Sequence, residues 1–559
     1  GNYMGNSPIG AISHSGYEKN DITQIYTTLE VEQQLPFLKG LSVKGVASYD
    51  PRFKHNKKWS TPILSYIPDY STDPITFNET RNGNSPSLSE ANNYDKKFTY
   101  QAYINYKNTF GLHDVSVLGV AERSEGKFKW NSLGRSDFPV DIDEIDFGGS
   151  AAGQLTNGGS SNRETQVGFV YRLGYAYDGK YMAEVAGRYD GNYYFAPGKK
   201  WAFFPSVSLA WNIAEESFVK NNISFLNQFK LRASYGESGN LAGTAYQYLA
   251  GYSVYSNAAY FGGATTGIYE KTQANPQITW EKAKKFNTGI DALLWNGKLS
   301  VTADYFYETR DNMLIPPTST VPVEYGIGLP QVNGGKMSNQ GFDLALGSNI
   351  SINRDLNIDL RGTLTYAKNK LKQIYETGAE YDNPNRRRTG RPLDTYFGYK
   401  AIGYFTADDF DANGKLKPDI ASIKDANVAP GDIRYADISG PDGVPDGIID
   451  SNDETAIGRP KNNPQLMFGF SPTISWKGID FGMLLQGAAL YDIYLWGTAA
   501  HAFDDQSSAT KLMYEDHWTP ENQNALYPRA TIQPQENNKK MSSHWIRNAS
   551  YLRLKNIEL

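Results

Sequence analysis

The sequence has no cysteine among its 559 residues, which excludes disulfides, catalytic thiolates and cysteine-type zinc sites. It has no apolar run near the roughly 20 residues that a membrane-spanning helix needs. A formal net charge of -5 gives no basic footprint, so we expect no nucleic-acid partner. There is no Gly-x-Ser-x-Gly elbow, no phosphate-binding loop and no metal-like spacing of the six histidines. These absences predict that the protein is not an enzyme.

The first residues, Gly1-Asn2-Tyr3-Met4, carry neither a charged segment nor an apolar core. They therefore do not read as a secretory signal peptide.

The chain does contain many short segments in which apolar and polar residues alternate. From Phe286 to Tyr307 this alternation runs on both sides of the pair Asn296-Gly297. Side chains of a strand point to alternate faces, and Asn-Gly favours a type I′ hairpin turn. About fifteen segments follow the period-2 rule. The predicted strands lie near 22–33, 40–50, 96–108, 113–126, 164–178, 181–191, 204–213, 228–237, 285–295, 298–309, 339–352, 356–368, 464–476, 479–490 and 549–559.

The connections between these strands alternate between short and long. Short connections are predicted at Leu35–Lys39, Thr109–His113, Asp178–Lys180, Asn296–Gly297, Asn353–Asp355 and Lys477–Gly478, and the stretch Ala214–Gln228 fits this pattern less well. Long connections are predicted at 51–95, 127–163, 192–203, 238–284, 310–338, 369–463 and 491–548. Outer-membrane barrels have short periplasmic turns and longer extracellular loops. A large soluble all-β protein is the alternative, but it has no reason to place every long loop at one end.

Two further features favour a transmembrane antiparallel β-barrel. Aromatic residues make up 13% of the chain, which suits the girdles at the two membrane interfaces. Arg172 is expected on the lumen side, because arginine on the lipid face at mid-bilayer costs roughly 2–4 kcal/mol. A spanning sheet has to close, and the last residue, Leu559, falls inside a predicted strand. We therefore expect further strands, and a further domain, outside this segment.

Several short motifs together resemble the barrel signature of SusC/RagA-type TonB-dependent transporters. They cover nearly the whole chain and are densest from Arg172 onward. The motifs are Arg172-Leu173-Gly174-Tyr175, Gly179-Lys180-Tyr181, Arg188-Tyr189-Asp190-Gly191, Phe195-Ala196-Pro197, Trp201, Phe204-Pro205-Ser206, Leu231-Arg232-Ala233-Ser234-Tyr235-Gly236, Gly239-Asn240, Trp280-Glu281, Asn287-Thr288-Gly289, Asn333-Gly334-Gly335-Lys336-Met337, Gly341-Phe342-Asp343-Leu344, Trp518-Thr519-Pro520-Glu521-Asn522, Tyr527-Pro528-Arg529 and Ala549-Ser550-Tyr551-Leu552-Arg553-Leu554-Lys555-Asn556.

The resemblance implies a 22-stranded all-β barrel with an N-terminal plug, of which residues 1–559 would be part of the barrel. It implies the outer membrane of a Gram-negative, Bacteroidetes-like cell, energy from the TonB complex, a SusD-like lipoprotein partner and a dimer of transporter–lipoprotein pairs. The expected function is import of a bulky nutrient, an oligosaccharide or an oligopeptide. A glycan-binding adhesin barrel without transport is the alternative. An outer-membrane hydrolase is disfavoured by the lack of a nucleophile constellation.

An acidic stretch from Asp437 to Glu454, in the long loop 369–463, resembles the calcium loop of EF-hands and dockerins. Clustered carboxylates repel one another unless a hard cation takes their oxygens, and Gly447 permits the sharp turn. Either Asp442 opens the loop, with Val444 at a position that cannot ligate, or Asp437 and Ser439 lead. A metal-free acidic loop is the other interpretation. The predicted structural calcium ligands are Asp437, Asp442, Asp446, the Ile448 carbonyl, Asp450 and Asp453.

Two long loops are rich in aromatic residues. Their rings could stack on sugars, seal a partner interface, or pack on one another. The run Arg386-Arg387-Arg388 could attract an acidic ligand, but a solvated loop is the more ordinary interpretation. The predicted substrate or partner residues are Tyr246, Tyr248, Tyr252, Tyr255, Tyr260, Trp59 and Tyr66, with Tyr70, Phe261 and Tyr269 beside them.

Overall fold

The computed structural model describes residues 12–82, 85–317, 325–498, 500–504, 508–532 and 536–559, so Gly1–Met4 and the signal-peptide prediction lie outside them. The chain divides into two compact units. The first comprises Gly1–Asn108, Val117–Tyr171 and Arg188–Tyr193, and the second comprises Thr109–Ser116, Arg172–Gly187 and Tyr194–Leu559. Within the described ranges, none of the helices is long and apolar enough to cross a membrane.

The first unit is built from long strands. Its hydrogen-bonded order is β1-β3-β6-β7-β8, and β1 and β2 pair in succession with the two halves of β3. Its strands are β1 (Gly16–Gln24), β2 (Thr27–Gln34), β3 (Leu41–Ser60), β4 (Ile63–Asp69), β5 (Thr76–Asn82), β6 (Ser87–Phe110), β7 (His113–Ser136) and β8 (Leu155–Tyr177), of which the last three also reach into the second unit.

The second unit continues the all-β pattern. Its large sheet has the order β9-β10-β11-β14-β15-β16-β17-β24-β25-β28, and every strand pair from β10 onward is antiparallel. The strands of this sheet are β9 (Tyr181–Asn192), β10 (Trp201–Asn212), β11 (Leu226–Asn240), β14 (Glu281–Leu294), β15 (Leu299–Ile315), β16 (Val332–Ser351), β17 (Leu356–Gln373), β24 (Leu466–Trp476), β25 (Ile479–Ala489) and β28 (Tyr551–Glu558).

Shorter elements lie in the connections. The hairpin β4–β5 belongs to the first unit, and the pairs β12–β13, β18–β23, β19–β21, β20–β22 and β26–β27 belong to the second. These strands are β12 (Gly251–Tyr260), β13 (Ala264–Thr272), β18 (Tyr396–Gly398), β19 (Ala401–Tyr404), β20 (Ser422–Ile423), β21 (Ile433–Tyr435), β22 (Ile448–Ile449), β23 (Thr455–Gly458), β26 (Asp492–Tyr494) and β27 (Ile546–Asn548). The α-helices are α1 (Ser217–Lys220), α2 (Gly378–Asp382) and α3 (Lys511–Glu515), and 3-10 turns lie at Ile145–Phe147, Ile213–Glu215, Ala407–Asp409, Ser451–Asp453 and Ser543–Trp545.

Each predicted strand segment overlaps an observed strand, but many observed strands are longer. The segment 22–33 was predicted as one strand and instead covers the end of β1 and most of β2. Strand β3 runs to Ser60 and β6 begins at Ser87, so much of the predicted loop 51–95 is strand. The prediction failed there because His55 and Lys57 lie on the same face of β3 as Phe53 and so break the apolar alternation. At about 3.3 Å per residue, the 24 residues of β6 extend well beyond a hydrocarbon layer of about 30 Å. Outside that layer both faces are solvated, so the apolar signal is lost.

The predicted type I′ turn is confirmed. Asn296 and Gly297 have φ angles of 57° and 83°, and the Lys298 amide donates to the Trp295 carbonyl at 3.3 Å. These positive φ angles match the right-handed twist of the flanking strands. The turn thereby fixes the register of β14 on β15, with Leu294 opposite Leu299.

Strand register in the second unit separates an apolar face from a polar face. One cross-strand row on the apolar face is Trp211, Leu231, Ile290, Ala303, Leu344, Leu364 and Phe468. The neighbouring row on the polar face is Ala210, Arg232, Gly289, Asp304, Asp343, Thr365 and Met467. Because successive side chains alternate, a shift of one residue would exchange the two rows.

Candidate functional site

An ion network crosses the polar face of the second unit. The Arg232 guanidinium donates to both carboxylates of Asp291 and Asp304, at 2.7–3.1 Å. Asp343 lies directly opposite Asp304 and accepts a 2.6 Å hydrogen bond from the Thr365 hydroxyl. Like charges directly opposite are destabilising in a sheet, so Arg232 and Thr365 offset that repulsion. The arrangement gives this face a hydrophilic surface that excess carboxylate makes acidic.

The first unit has a comparable network. The Arg188 Nε atom donates to Asp190 at 2.6 Å, and Arg188 also reaches Glu122 at 3.1 Å. Gln101 donates to the other Glu122 oxygen at 2.5 Å. Charge-assisted bonds of this kind hold polar side chains at fixed positions.

Arg172 is ion-paired, with its Nε atom 2.7 Å from a Glu184 carboxylate oxygen. It alternates with the exposed apolar side chains of Leu173 and Tyr175 along β8. This alternation places Arg172 on the face opposite to those side chains, as the sequence predicted.

The strands β12 and β13 form a hairpin, residues 251–272, that we call the aromatic hairpin. Its rings are solvent-exposed: Tyr252 is 69% exposed, Tyr260 79% and Phe261 84%. Apolar side chains occupy both faces, since Val254 pairs with Ile268 on one face and Tyr255 lies on the other. A two-stranded hairpin is marginally stable alone, and an exposed apolar patch marks an interaction site.

The two tyrosines before this hairpin lie in a different environment. The Tyr246 and Tyr248 rings have centroids 6.2 Å apart, and Tyr248 packs against a buried cluster. Ring packing, one of the three interpretations of the loop, therefore describes this pair.

The loop between β3 and β6 also divides its aromatic residues. Tyr66 and Tyr70 are exposed around the hairpin β4–β5. Trp59 is only 7% exposed and packs edge-on against Phe138 in a core with Leu88. Because this core covers the indole, we withdraw Trp59 from the predicted ligand-binding set.

The acidic stretch folds mainly around its own carboxylates. The Asp437 carboxylate accepts the Gly447 amide at 2.6 Å, Asp446 accepts the Ile448 amide at 3.0 Å, and Asp450 accepts the Asn452 amide at 2.7 Å. Among the described residues, no three His, Cys, Asp or Glu side chains form a metal-binding group. The calcium site stays a prediction.

Within this stretch, Asp442 and Asp453 differ most. Asp442 is exposed in the turn closed by the Gly440 amide and the Val444 carbonyl. Asp453 is fully buried and accepts the amides of Ile438, Ser439 and Asp450 at 2.7–3.1 Å. Burial raises the pKa of Asp453 despite these bonds. Asp453 is thus a structural carboxylate whatever occupies the loop.

The two longest connections pack together into one structure that the sequence did not predict. We call the described residues of 396–458 and 492–548 the loop body. Trp545 is fully buried at its centre, and its indole N–H donates to the Asn538 carbonyl at 2.7 Å. The cluster around it is Ile433, Tyr435, Ile449, Ala500, Met513 and Tyr527.

A buried ion pair joins the two connections inside the loop body. Asp432 is fully buried, and the Arg529 guanidinium donates to its two oxygens at 2.8 and 3.2 Å. Asn538 and the Ala429 amide donate to the same carboxylate. A buried charge needs this degree of pairing, because desolvation costs several kcal/mol per ion. The Trp518 ring covers Gly431, where a Cβ atom would clash.

Other signature motifs form a second core. Phe195, Phe204 and Trp280 pack together with ring centroids 5.4–5.5 Å apart for the two pairs with Trp280. The buried Glu281 accepts the Leu314 amide at 2.8 Å and Asn240 at 3.0 Å. These motif residues fix strand ends, so their role is structural.

The run 386–388 is held by local contacts. The Arg387 and Arg388 guanidinium groups lie 4.5 Å from the ring centroids of Tyr381 and Phe397. Arg386 faces Glu380 at 3.9 Å. The run is therefore engaged in cation–π and ionic contacts, which neither interpretation of the sequence anticipated.

Comparison with known proteins gives a consistent result. Residues 5–446 match the family described as TonB dependent receptor-like, beta-barrel. TonB-dependent receptor P26 of Formosa agariphila is 30% identical over 407 residues, covering 70% of this chain and 38% of the relative. TonB-dependent receptor SusC of Bacteroides thetaiotaomicron is 24% identical over 480 residues, covering 83% of this chain and 44% of the relative.

A solved structure of the RagAB peptide transporter has the same fold, with a TM-score of 0.73 and 22% identity over 96% of this chain and 55% of that one. The chain spans about half the length, or less, of the relatives it matches. The all-β barrel class and the SusC/RagA resemblance are thereby confirmed. The chain belongs to the TonB-dependent receptor β-barrel family, a family of outer-membrane receptors and transporters rather than of enzymes.

Proposed function

We propose that the chain forms part of the barrel wall of a TonB-dependent importer in the outer membrane of a Gram-negative, Bacteroidetes-like cell. The observation that carries the proposal is the separation of the two faces in a chain of this family. The ion network around Arg232 lies on the face opposite to an apolar row, and the first unit has a comparable network around Arg188. An apolar outer band suits lipid, and a polar inner surface suits a hydrated passage.

The proposed cargo is a bulky nutrient, an oligosaccharide or an oligopeptide, and the proposed partner is a SusD-like lipoprotein. One relative is named SusC, and one structural neighbour is a peptide transporter. The exposed rings of Tyr252, Tyr255 and Tyr260 supply the recognition surface, since aromatic rings dominate binding hot spots and stack on flat ligands. The TonB complex would supply the energy, and a dimer of transporter–lipoprotein pairs is the proposed assembly.

The loop around Asp446 and Asp450 is proposed to bind a structural calcium ion. Oxygen-rich loops with a glycine at the sharp turn suit this cation, and Gly447 has a φ of 84°.

An adhesin barrel is the second candidate, because the aromatic hairpin could hold a glycan without any transport. The two functions differ in their need for energy. Import requires TonB and a membrane potential, whereas adhesion persists without either.

The deciding experiment uses the complete protein in its own cells. It is purified in mild detergent, and everything that co-purifies is identified by mass spectrometry. Uptake of the ligand identified in this way is then measured with and without TonB. A co-purifying lipoprotein and TonB-dependent uptake are expected. Ligand binding at the surface that is unchanged without TonB, with no uptake, would contradict import and favour the adhesin.

A further inference from the structure

A groove of about 1230 Å³ lies on the apolar face of the second unit. Small side chains of Ala233, Thr288 and Ala303 form its floor, and Ala233 is directly opposite Thr288 across β11 and β14. The larger side chains of Trp211 and Phe342 border it on two sides. Its volume exceeds the ≈ 300–1,000 Å³ usual for a small-molecule pocket. The lining is strongly apolar, which suits a hydrocarbon chain.

One end of the groove is amphipathic. The Tyr181 hydroxyl and the Trp211 indole N–H both donate to Glu216, at 2.5 and 3.0 Å. The neighbouring Lys180 lies 2.6 Å from Asp178 in the short turn between β8 and β9. One cation, Lys180, and two carboxylates, Asp178 and Glu216, thus lie at the end of the groove where the short turns are.

We propose that this groove is a specific site for a zwitterionic glycerophospholipid. An acyl chain lies over Ala233 and Thr288, where it fills the depression between the large side chains. The headgroup lies at the short turns, with its phosphate near Lys180 and its ammonium near Glu216. Short turns of outer-membrane barrels face the periplasm, so the lipid belongs to the inner leaflet. This proposal requires outer-membrane placement but does not depend on import.

The test fills the groove in the complete protein. Ala233→Phe places a ring on the floor, and Ala292→Phe is the matched control because Ala292 lies on the same apolar face of β14 outside the groove. Both variants are purified in mild detergent and analysed by native mass spectrometry. Delipidated samples are then titrated with phosphatidylethanolamine or phosphatidylglycerol.

We expect retained phosphatidylethanolamine in the unmodified protein and in Ala292→Phe, and about tenfold weaker retention in Ala233→Phe, since displacing about two methylene groups has that effect. Equal retention in all three proteins, or equal affinity for the two lipids, would mean ordinary annular lipid and would overturn the proposal. Loss of a dimer in Ala233→Phe without loss of lipid would overturn it as well. If the barrel binds the lipid but does not transport, the lipid site is supported and the import proposal is contradicted.

Discussion

The aromatic hairpin and the loop body are built from similar side chains and use them in opposite ways. The hairpin exposes Tyr252 and Tyr260 to solvent, whereas the loop body buries Trp545 completely. In the loop body the buried Asp432 carboxylate is held by Arg529 and Asn538. In the hairpin the two strands pair with each other, and a bridge from Thr272 to Gly328 lies at the end of β13. Aromatic richness in a loop therefore does not indicate a binding surface until burial is known.

Breaking the buried ion pair should have the largest effect. Arg529→Met leaves the Asp432 carboxylate buried without its counter-ion, which should lower the free energy of unfolding of the loop body by about 3–5 kcal/mol. Denaturant titration with tryptophan fluorescence, and limited proteolysis, measure this loss. The control is Lys511→Met, which removes an exposed pair with Glu515 and should change stability by no more than about 0.5 kcal/mol. Equal stability of the two variants would contradict the role given to Arg529.

The second largest effect should come from acid, which should lower the stability of the loop body. The His544 and His501 rings contact the Trp545 indole at 4.7 and 4.6 Å between centroids. Burial, and then the charge of Arg547, lower the pKa of His544 to about 4 from an ordinary 6.5. The unfolded chain therefore binds a proton that the folded chain does not, so stability is complete above pH 6.5 and declines as the pH falls toward 4.

Across that pH range, protonation linked to His544 should lower the free energy of unfolding by about 3 kcal/mol. Unfolding of the loop body, followed at a series of pH values, measures it. Burial also lowers the pKa of His501, which lies near Asp504 and Lys539. Its protonation should add a smaller loss of stability as the pH falls. His544→Gln should flatten the profile, whereas replacement of the exposed His14 by Gln should not. A profile unchanged by His544→Gln would refute the assignment.

In the aromatic hairpin we expect substitutions to weaken binding and to leave stability almost unchanged. Replacing Tyr252, Tyr255 and Tyr260 together by Ser should change the free energy of unfolding by no more than about 0.5 kcal/mol, because these rings are exposed. Binding of the co-purified partner or ligand should weaken by about 30-fold, which corresponds to one hot spot of about 2 kcal/mol. Surface plasmon resonance measures the affinity. Trp59→Ser supplies the contrast, since it should destabilise the first unit. Unchanged affinity in the triple variant would remove the hairpin from the recognition surface.

Calcium should give the smallest effect. At a free concentration tenfold above its Kd, a single ion stabilises the folded state by about 1.4 kcal/mol. Isothermal titration should show one site that Asp446→Ala combined with Asp450→Ala abolishes. Asp453→Ala should destabilise the protein even without calcium, since three backbone amides lose their acceptor. Binding that survives the double substitution would place the ion elsewhere.

The sequence predicted the strands and their turns because both are local signals. Apolar alternation located β14 and β15, and Asn296-Gly297 fixed the turn between them. Residues 51–60 of β3 were not predicted as strand, because solvent on both faces of that part removes the apolar alternation. The loop body was missed because Asp432 and Arg529 are 97 positions apart. Among the candidate site residues, Tyr252 and Trp59 looked alike in sequence, and only burial separated them.

The loop body also constrains the order in which the chain can assemble. Its two halves flank the hairpin β24–β25, so pairing of this hairpin on β17 shortens the loop that has to close before Arg529 contacts Asp432. Contacts of such sequence separation form late, because loop closure is costly until the intervening structure exists. We therefore expect the loop body to be the last part to become protease-resistant during barrel biogenesis, and its completion would report that the hairpin is in place.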